Sequence, residues 1–202
     1  MSFETWISFV IFCLVITTAP GPGNILTINN ALQHGWRPSR ILILGQEVAV
    51  FILMLSVTLG TKFLSNLTYA MMVIKVLGTF WLLYSAWSTW NSPFNDLPLD
   101  KIPMSSKLER FTKGFITDFT NGKAWVFFIA MVPAYLNMSR DLIPQSLILS
   151  FTLVFIDSIV LLIYAIISGK LRELFSSPKI IKIQNRISAV IFILLALKIS
   201  IF

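Results

Sequence analysis

The chain has 202 residues, of which 56% are hydrophobic and only 12% charged, and its mean hydropathy is +0.80. A soluble domain of this size carries about twice that charge fraction, so the composition indicates a single-domain, all-α integral membrane protein. The net charge of +7 does not mark a nucleic-acid binder, because the basic residues sit in connections between apolar segments rather than on a polar domain.

The first apolar segment runs from Phe3 to Leu32 and is interrupted by Thr17-Thr18-Ala19-Pro20-Gly21-Pro22-Gly23-Asn24. Proline removes an N–H and clashes with the carbonyl four residues back, and glycine adds backbone freedom, so no helix continues through this stretch. As one straight helix, residues 3–32 would be roughly 45 Å long, against a bilayer core of about 30 Å. The spacing predicts two half-helices joined by an unwound turn at membrane depth. Such a turn is tolerated only where it is buried in protein or lines a cavity. A cleaved signal peptide fits poorly: Glu4 is the only charge ahead of the apolar run, and Ala19 is followed by proline.

Hydropathy then gives six spans, near 3–32 (broken), 41–60, 67–90, 112–137 (broken), 143–168 and 184–202. Lys and Arg divide unevenly between the two sets of connections. Eleven (Arg37, Arg40, Lys101, Lys107, Arg110, Lys113, Lys170, Arg172, Lys179, Lys182 and Arg186) fall on one side, and only Lys62 and Arg140 on the other. The positive-inside rule makes the first side cytoplasmic and places both termini away from the cytoplasm. Trp36, Trp81, Trp87 and Trp90 fit interfacial anchors. The connection 91–110, with Pro93, Pro98 and Pro103, reads as a linker between halves 1–90 and 111–202 of one transmembrane transporter domain.

The halves echo each other. Span four is interrupted at Asp118-Phe119-Thr120-Asn121-Gly122-Lys123, and the second span of each half carries a lone carboxylate, Glu47 or Asp157. Three spans are an odd number, so a repeated half has inverted topology, the pattern of secondary transporters with a site at the repeat interface. A half-helix starting near Asn24 presents free N–H groups and a positive dipole end, a seat for a carboxylate. The second break offers the same near Asn121 and Gly122 and adds Lys123. Asp157, mid-span where a charge is costly, is a candidate for binding an ammonium or relaying a proton, and equally for a satisfied structural pair. Tyr164, two turns on, shares its face. Lys123 with Asp118 also reads as a buried ion pair, and Glu47 as a pair partner or a snorkelling side chain. Lys75 and Lys198 receive no role. Cys13 alone excludes an intrachain disulfide, and His34 alone leaves no zinc or haem cluster, so neither cofactor nor resident metal is expected.

Ala19-Pro20-Gly21-Pro22-Gly23-Asn24 resembles the PGP motif of the lysine-exporter superfamily, in its amino-acid efflux permeases of the RhtB/LysE type. Gly114 to Trp125 is similar to that family's second signature, in which a GF…N…NPKA run enters a phenylalanine-rich helix. Asp157 with Tyr164 resembles the acid and tyrosine of its fifth helix, and Asn185-Arg186 the pair opening its last. The chain departs from the pattern at Gly122, where the family has the NPK proline, at Asp118, where an asparagine is common, and at Gln46-Glu47, where relatives are small and apolar. The resemblance implies export of amino acids or related small metabolites across a bacterial inner membrane in exchange for protons, with Pro20, Gly21, Pro22, Gly23, Asn24, Asn121, Gly122, Lys123, Asp157 and Tyr164 around the substrate, and Asp157, Glu47 and Asp118 in proton coupling or charge pairing. The sequence shows no nucleophile–base pair and no metal cluster, so an enzyme is not expected. A divalent-metal transporter using Glu47, Asp118 and Asp157, and a non-transporting membrane assembly protein, are the competing readings. The expected partners are the small-molecule substrate, protons and the lipid bilayer; a homo-oligomer is left open.

Overall fold

The computed structural model describes residues 1–19, 21–65, 69–91, 105–168 and 178–201, and among these the secondary structure is helical with no strand. Among the described residues eight α-helices are bounded, in order: α1 (Phe3–Thr18), α2 (Pro22–His34), α3 (Trp36–Ser65), α4 (Ala70–Trp90), α5 (Lys107–Phe119), α6 (Gly122–Met131), α7 (Leu142–Ile166) and α8 (Pro178–Ile201). Residues 92–104 of the expected linker and Pro20 itself lie outside the described residues.

Both predicted breaks are present. The helix α1 opens on Ser2, whose hydroxyl accepts from the N–H of Thr5 at 3.2 Å, and ends ahead of the prolines. Pro22 then occupies the first turn of α2 with Gly21 as its N-cap, a position where a missing N–H costs nothing. The helix therefore begins two residues earlier than Asn24, because proline there starts a helix as readily as it stops one. The axes of α1 and α2 are bent by 55°. The turn from α2 into α3 is the single residue Gly35, at φ 85°, a left-handed conformation that glycine adopts without penalty. In the second break, Thr120 and Asn121 separate α5 from α6. The start of α5 is fixed by a reciprocal cap: Ser106 Oγ accepts from Glu109 N–H at 3.2 Å, and Glu109 Oε2 accepts from Ser106 N–H at 2.7 Å.

By length and composition, Trp36–Thr61 and Leu142–Ile166 can each cross a membrane, and the bent α1–α2 pair makes a third such span. Six were expected. The break divides span four into α5 and α6, of 13 and 10 residues, each too short to cross alone. Asn185–Leu197 is likewise a shorter apolar stretch. On α7 the residues Phe151, Phe155, Ile159 and Ile163, one turn apart, are exposed, whereas Leu149, Leu153 and Leu161 are buried. That apolar outward face suits lipid, not water.

The helix α3 is the centre of the fold, packed on α5 and α7, while α2 fits between α3 and α7, and α4 pairs with α8. Its crossing with α5 is closed by two glycines. A Cβ on Gly45 would strike the carbonyl of Phe111, and one on Gly114 the carbonyl of Leu42, so the two backbones touch directly, as small residues permit in membrane helices. Phe12 of α1 stacks on Phe127 of α6 with ring centroids 5.2 Å apart, joining the two broken elements.

Candidate site at the two helix breaks

The two breaks, far apart in sequence, meet at one cavity of about 110 Å³. Gly21, Pro22, Gly23 and Asn24 line it from the first break, Asp118 and Asn121 from the second, and Asp157 from the middle of α7. A second cavity of about 100 Å³ adjoins across Ile16, Ala19, Pro22 and Asn121 and is walled by Phe127 and Phe192. The remainder of the first wall is apolar, with Val50, Phe128, Leu153 and Leu161. Few polar groups converging in an apolar pocket is the usual composition of a small-molecule site.

The two breaks are satisfied differently. At the first, the C-terminal carbonyls of α1 are all taken. Ile16 O accepts from Ala19 N–H at 3.2 Å. The Asn24 amide donates to Thr17 O at 2.9 Å and Ala19 O at 2.8 Å, and the Tyr164 hydroxyl donates to Thr18 O at 3.0 Å. Asn24 and Tyr164 thus hold the end of α1 in place; Tyr164 does not line the cavity. The N-terminus of α2, by contrast, has no side-chain cap. At the second break Asn121 caps its own helix, its Oδ1 accepting from Ala124 N–H at 3.4 Å, and Trp125 Nε1 donates to Phe119 O at 2.6 Å. The sequence suggested an anion seat at each break; in the structure Asn121 caps α6, whereas α2 has no side-chain cap and carries the Asp118 carboxylate against the side of its first turn.

Asp118 packs sideways against the first turn of α2. A Cβ on Gly23 would lie 2.6 Å from Asp118 Oδ1 and 2.8 Å from Gln46 Nε2. Gln46 is fully buried and is held by Thr27, whose hydroxyl donates to Gln46 Oε1 at 2.7 Å. One polar cluster therefore locks α2, α3 and α5 together below the cavity. The buried face of α5 consists of Arg110, Gly114 and Asp118, two successive turns of one stripe.

Glu47 is buried on α3 beside Ser158, close enough for its charge to act on Asp157, and does not reach the cavity lining. Gly122 opens α6 and is exposed. The side chain of Lys123, and with it the suggested ion pair to Asp118, lies outside the described residues, as do the side chains of Lys75 and Lys198. Among the described residues no three His, Cys, Asp or Glu side chains converge on a point that would hold a metal ion. The cage required of Glu47, Asp118 and Asp157 by a metal-transport reading is not formed. Thr17, Thr27 and Gln46 are the site residues that sequence reasoning left without a role; the signal for Gln46 was a polar pair, Gln46-Glu47, inside an apolar helix.

The cavity thus presents the uncapped first turn of α2 on one side and the Asp157 carboxylate on the other, a positive dipole end facing an acid.

Residues 14–201 match the family described as LysE type translocator. Over 197 residues, covering 96% of this chain and 95% of the other, the chain is 26% identical to the homoserine/homoserine lactone efflux protein of Salmonella typhi. It is 28% identical, over 95% of its own length and 94% of the other's, to an uncharacterized membrane protein of Vibrio cholerae. With the cysteine/O-acetylserine efflux protein of Escherichia coli K12 it shares 26% identity over 146 residues, 71% of this chain and 69% of that one. No solved structure matches.

Proposed function

This chain belongs to the LysE type translocator family, and on that premise we propose that it is a secondary exporter of small amino acids or closely related metabolites, working by alternating access in a bacterial inner membrane. The observation that carries the reading is the convergence of both helix breaks and Asp157 on one cavity. Broken helices at a central site are how transporters expose backbone dipoles to a substrate without exposing them to lipid. The relatives are efflux proteins for homoserine, homoserine lactone, cysteine and O-acetylserine by name, which supports a small polar substrate and fits the volume of the cavity.

In this reading the substrate carboxylate lies at the N-terminus of α2 and its ammonium at Asp157. Proton and ammonium compete for the Asp157 carboxylate, so that one leaves as the other binds, and that exchange is the antiport. Glu47, near Asp157 and off the cavity wall, passes the proton on. The helix pairing supports an inverted repeat: α1 and α2 lie on α7 as α5 and α6 lie on α3, with α3 against α7 and α4 against α8. Rocking one half against the other opens the cavity to either face.

The test is efflux of preloaded radiolabelled L-homoserine, L-cysteine and the common L-amino acids from proteoliposomes, with and without a proton gradient. Asp157→Asn is expected to abolish gradient-driven exchange while the purified protein stays folded. Unchanged exchange removes Asp157 from the mechanism, and no movement of any amino acid by the unmodified protein overturns the exporter reading.

A further inference from the structure

Among the described helices two buried hydroxyls, those of Thr17 and Ser150, have no hydrogen-bond partner, and of the two only Thr17 lines the cavity at the breaks. Thr18, Thr58, Thr61, Thr152 and Ser146 each donate to the carbonyl four residues back, at 2.7 to 2.9 Å, the ordinary fate of a hydroxyl inside a helix. The hydroxyl of Thr17 makes no hydrogen bond at all, although the residue is only 6% exposed. A buried, unpaired hydroxyl costs free energy, and Thr17 lines the cavity at the breaks.

Its position is held from the other side of the break. The Asn24 amide grips the Thr17 carbonyl at 2.9 Å, so the last turn of α1 is fixed beside the first turn of α2. In that first turn Pro22 has no N–H, and Ile25 N–H is taken by Gly21 O at 3.0 Å. The N–H groups of Gly23 and Asn24 have no partner among the described residues, and no side chain caps them. The uncapped first turn of α2 and Thr17, with its unpaired hydroxyl, thus line the same cavity and are tied to each other through Asn24.

We propose that Thr17 is a substrate-binding residue: its hydroxyl and the α2 N–H groups of Gly23 and Asn24 together take the carboxylate of the transported molecule. The inference rests on the exporter reading and assigns the orientation of the substrate within it. A hydrogen bond from a neutral donor to a carboxylate is among the stronger kinds, and at a desolvated site its loss lowers affinity by about 10-fold or more. Since the hydroxyl contributes nothing to the fold, removing it leaves stability unharmed.

The experiment compares Thr17→Val, which keeps the branched shape without the hydroxyl, with Thr17→Ser, which keeps the hydroxyl. Each is measured in proteoliposomes for half-saturation by the best amino acid of the panel and for inhibition by the corresponding amine lacking the carboxyl group, and in detergent for melting temperature. The proposal predicts that Thr17→Val weakens half-saturation by the amino acid about 10-fold, leaves inhibition by the amine unchanged, and melts no lower than the unmodified protein, whereas Thr17→Ser behaves as the unmodified protein does. Equal half-saturation in Thr17→Val overturns it, as does a parallel loss toward amino acid and amine, or a lowered melting temperature with normal affinity, which would make the hydroxyl structural. Failure of the unmodified protein to move any amino acid overturns the exporter reading and this inference with it, a result distinct from transport that Thr17→Val leaves intact.

Discussion

Gly23 is the residue on which three helices lean, because only the absence of a side chain lets Asp118 and Gln46 reach the first turn of α2. Gly23→Ala places a methyl group 2.6 Å from Asp118 Oδ1 and 2.8 Å from Gln46 Nε2. The collision cannot relax by turning one flexible tip, since Gln46 is tied to Thr27. Gly23→Ala is expected to lower stability by about 1–3 kcal/mol, read as melting temperature, and to reduce transport. Adding Asp118→Ala makes room for the methyl group, so the double variant is expected to melt higher than the sum of the single changes predicts; simple additivity would show that the two residues do not meet. Asn24 carries a second prediction at this scale. Asn24→Asp exchanges an amide that donates to Thr17 O and Ala19 O for a carboxylate facing the same carbonyls. It should destabilise by about 1–3 kcal/mol, and a variant as stable as the original would mean that the α1 terminus is held elsewhere.

At the scale of the element, the two breaks were legible in the sequence because proline and glycine act locally: Pro20-Gly21-Pro22-Gly23 forbids a continuous helix whatever surrounds it. Replacing Pro20 and Pro22 together with alanine is expected to extend α1 toward α2 and abolish transport, and a fully active double variant would remove the break from the mechanism. How each break is satisfied was not legible. That Asn121 caps α6 while Asn24 turns back onto α1 depends on which carbonyls lie within reach, a matter of three-dimensional placement. The close crossing of α3 and α5 belongs here too. Gly45→Ala drives a Cβ against the Phe111 carbonyl, and backbone cannot swing aside as a side chain does. A drop of several degrees in melting temperature is expected, from a cost of about 1–3 kcal/mol; no drop would mean that the helices can separate freely.

For the whole molecule, composition alone indicated a membrane protein, and the outward apolar face of α7 agrees with it. Orientation is the property that remains to be measured at this scale. Lys and Arg in alternate connections place both termini on the non-cytoplasmic side if six spans form. With Cys13 the only cysteine and buried, a Cys13→Ser background carrying one new cysteine at either end is expected to react with a membrane-impermeant thiol reagent applied from outside the cell in both cases. Labelling of one terminus only would require an odd number of spans.

Sequence by itself determined the solvent this chain lives in, the places where its helices come apart, and the few ionisable groups left at membrane depth, because each of these follows from the chemistry of neighbouring residues along the chain. Tertiary structure alone decided which of those groups share a cavity. It joined Gly21 to Asn24 with Asp118, Asn121 and Asp157, kept Glu47 and Tyr164 off the wall, and left Thr17 with an idle hydroxyl. The reason is physical: a hydroxyl or an amide bonds to whatever lies within about 3 Å of it, and those distances arise only when helices distant in sequence pack together.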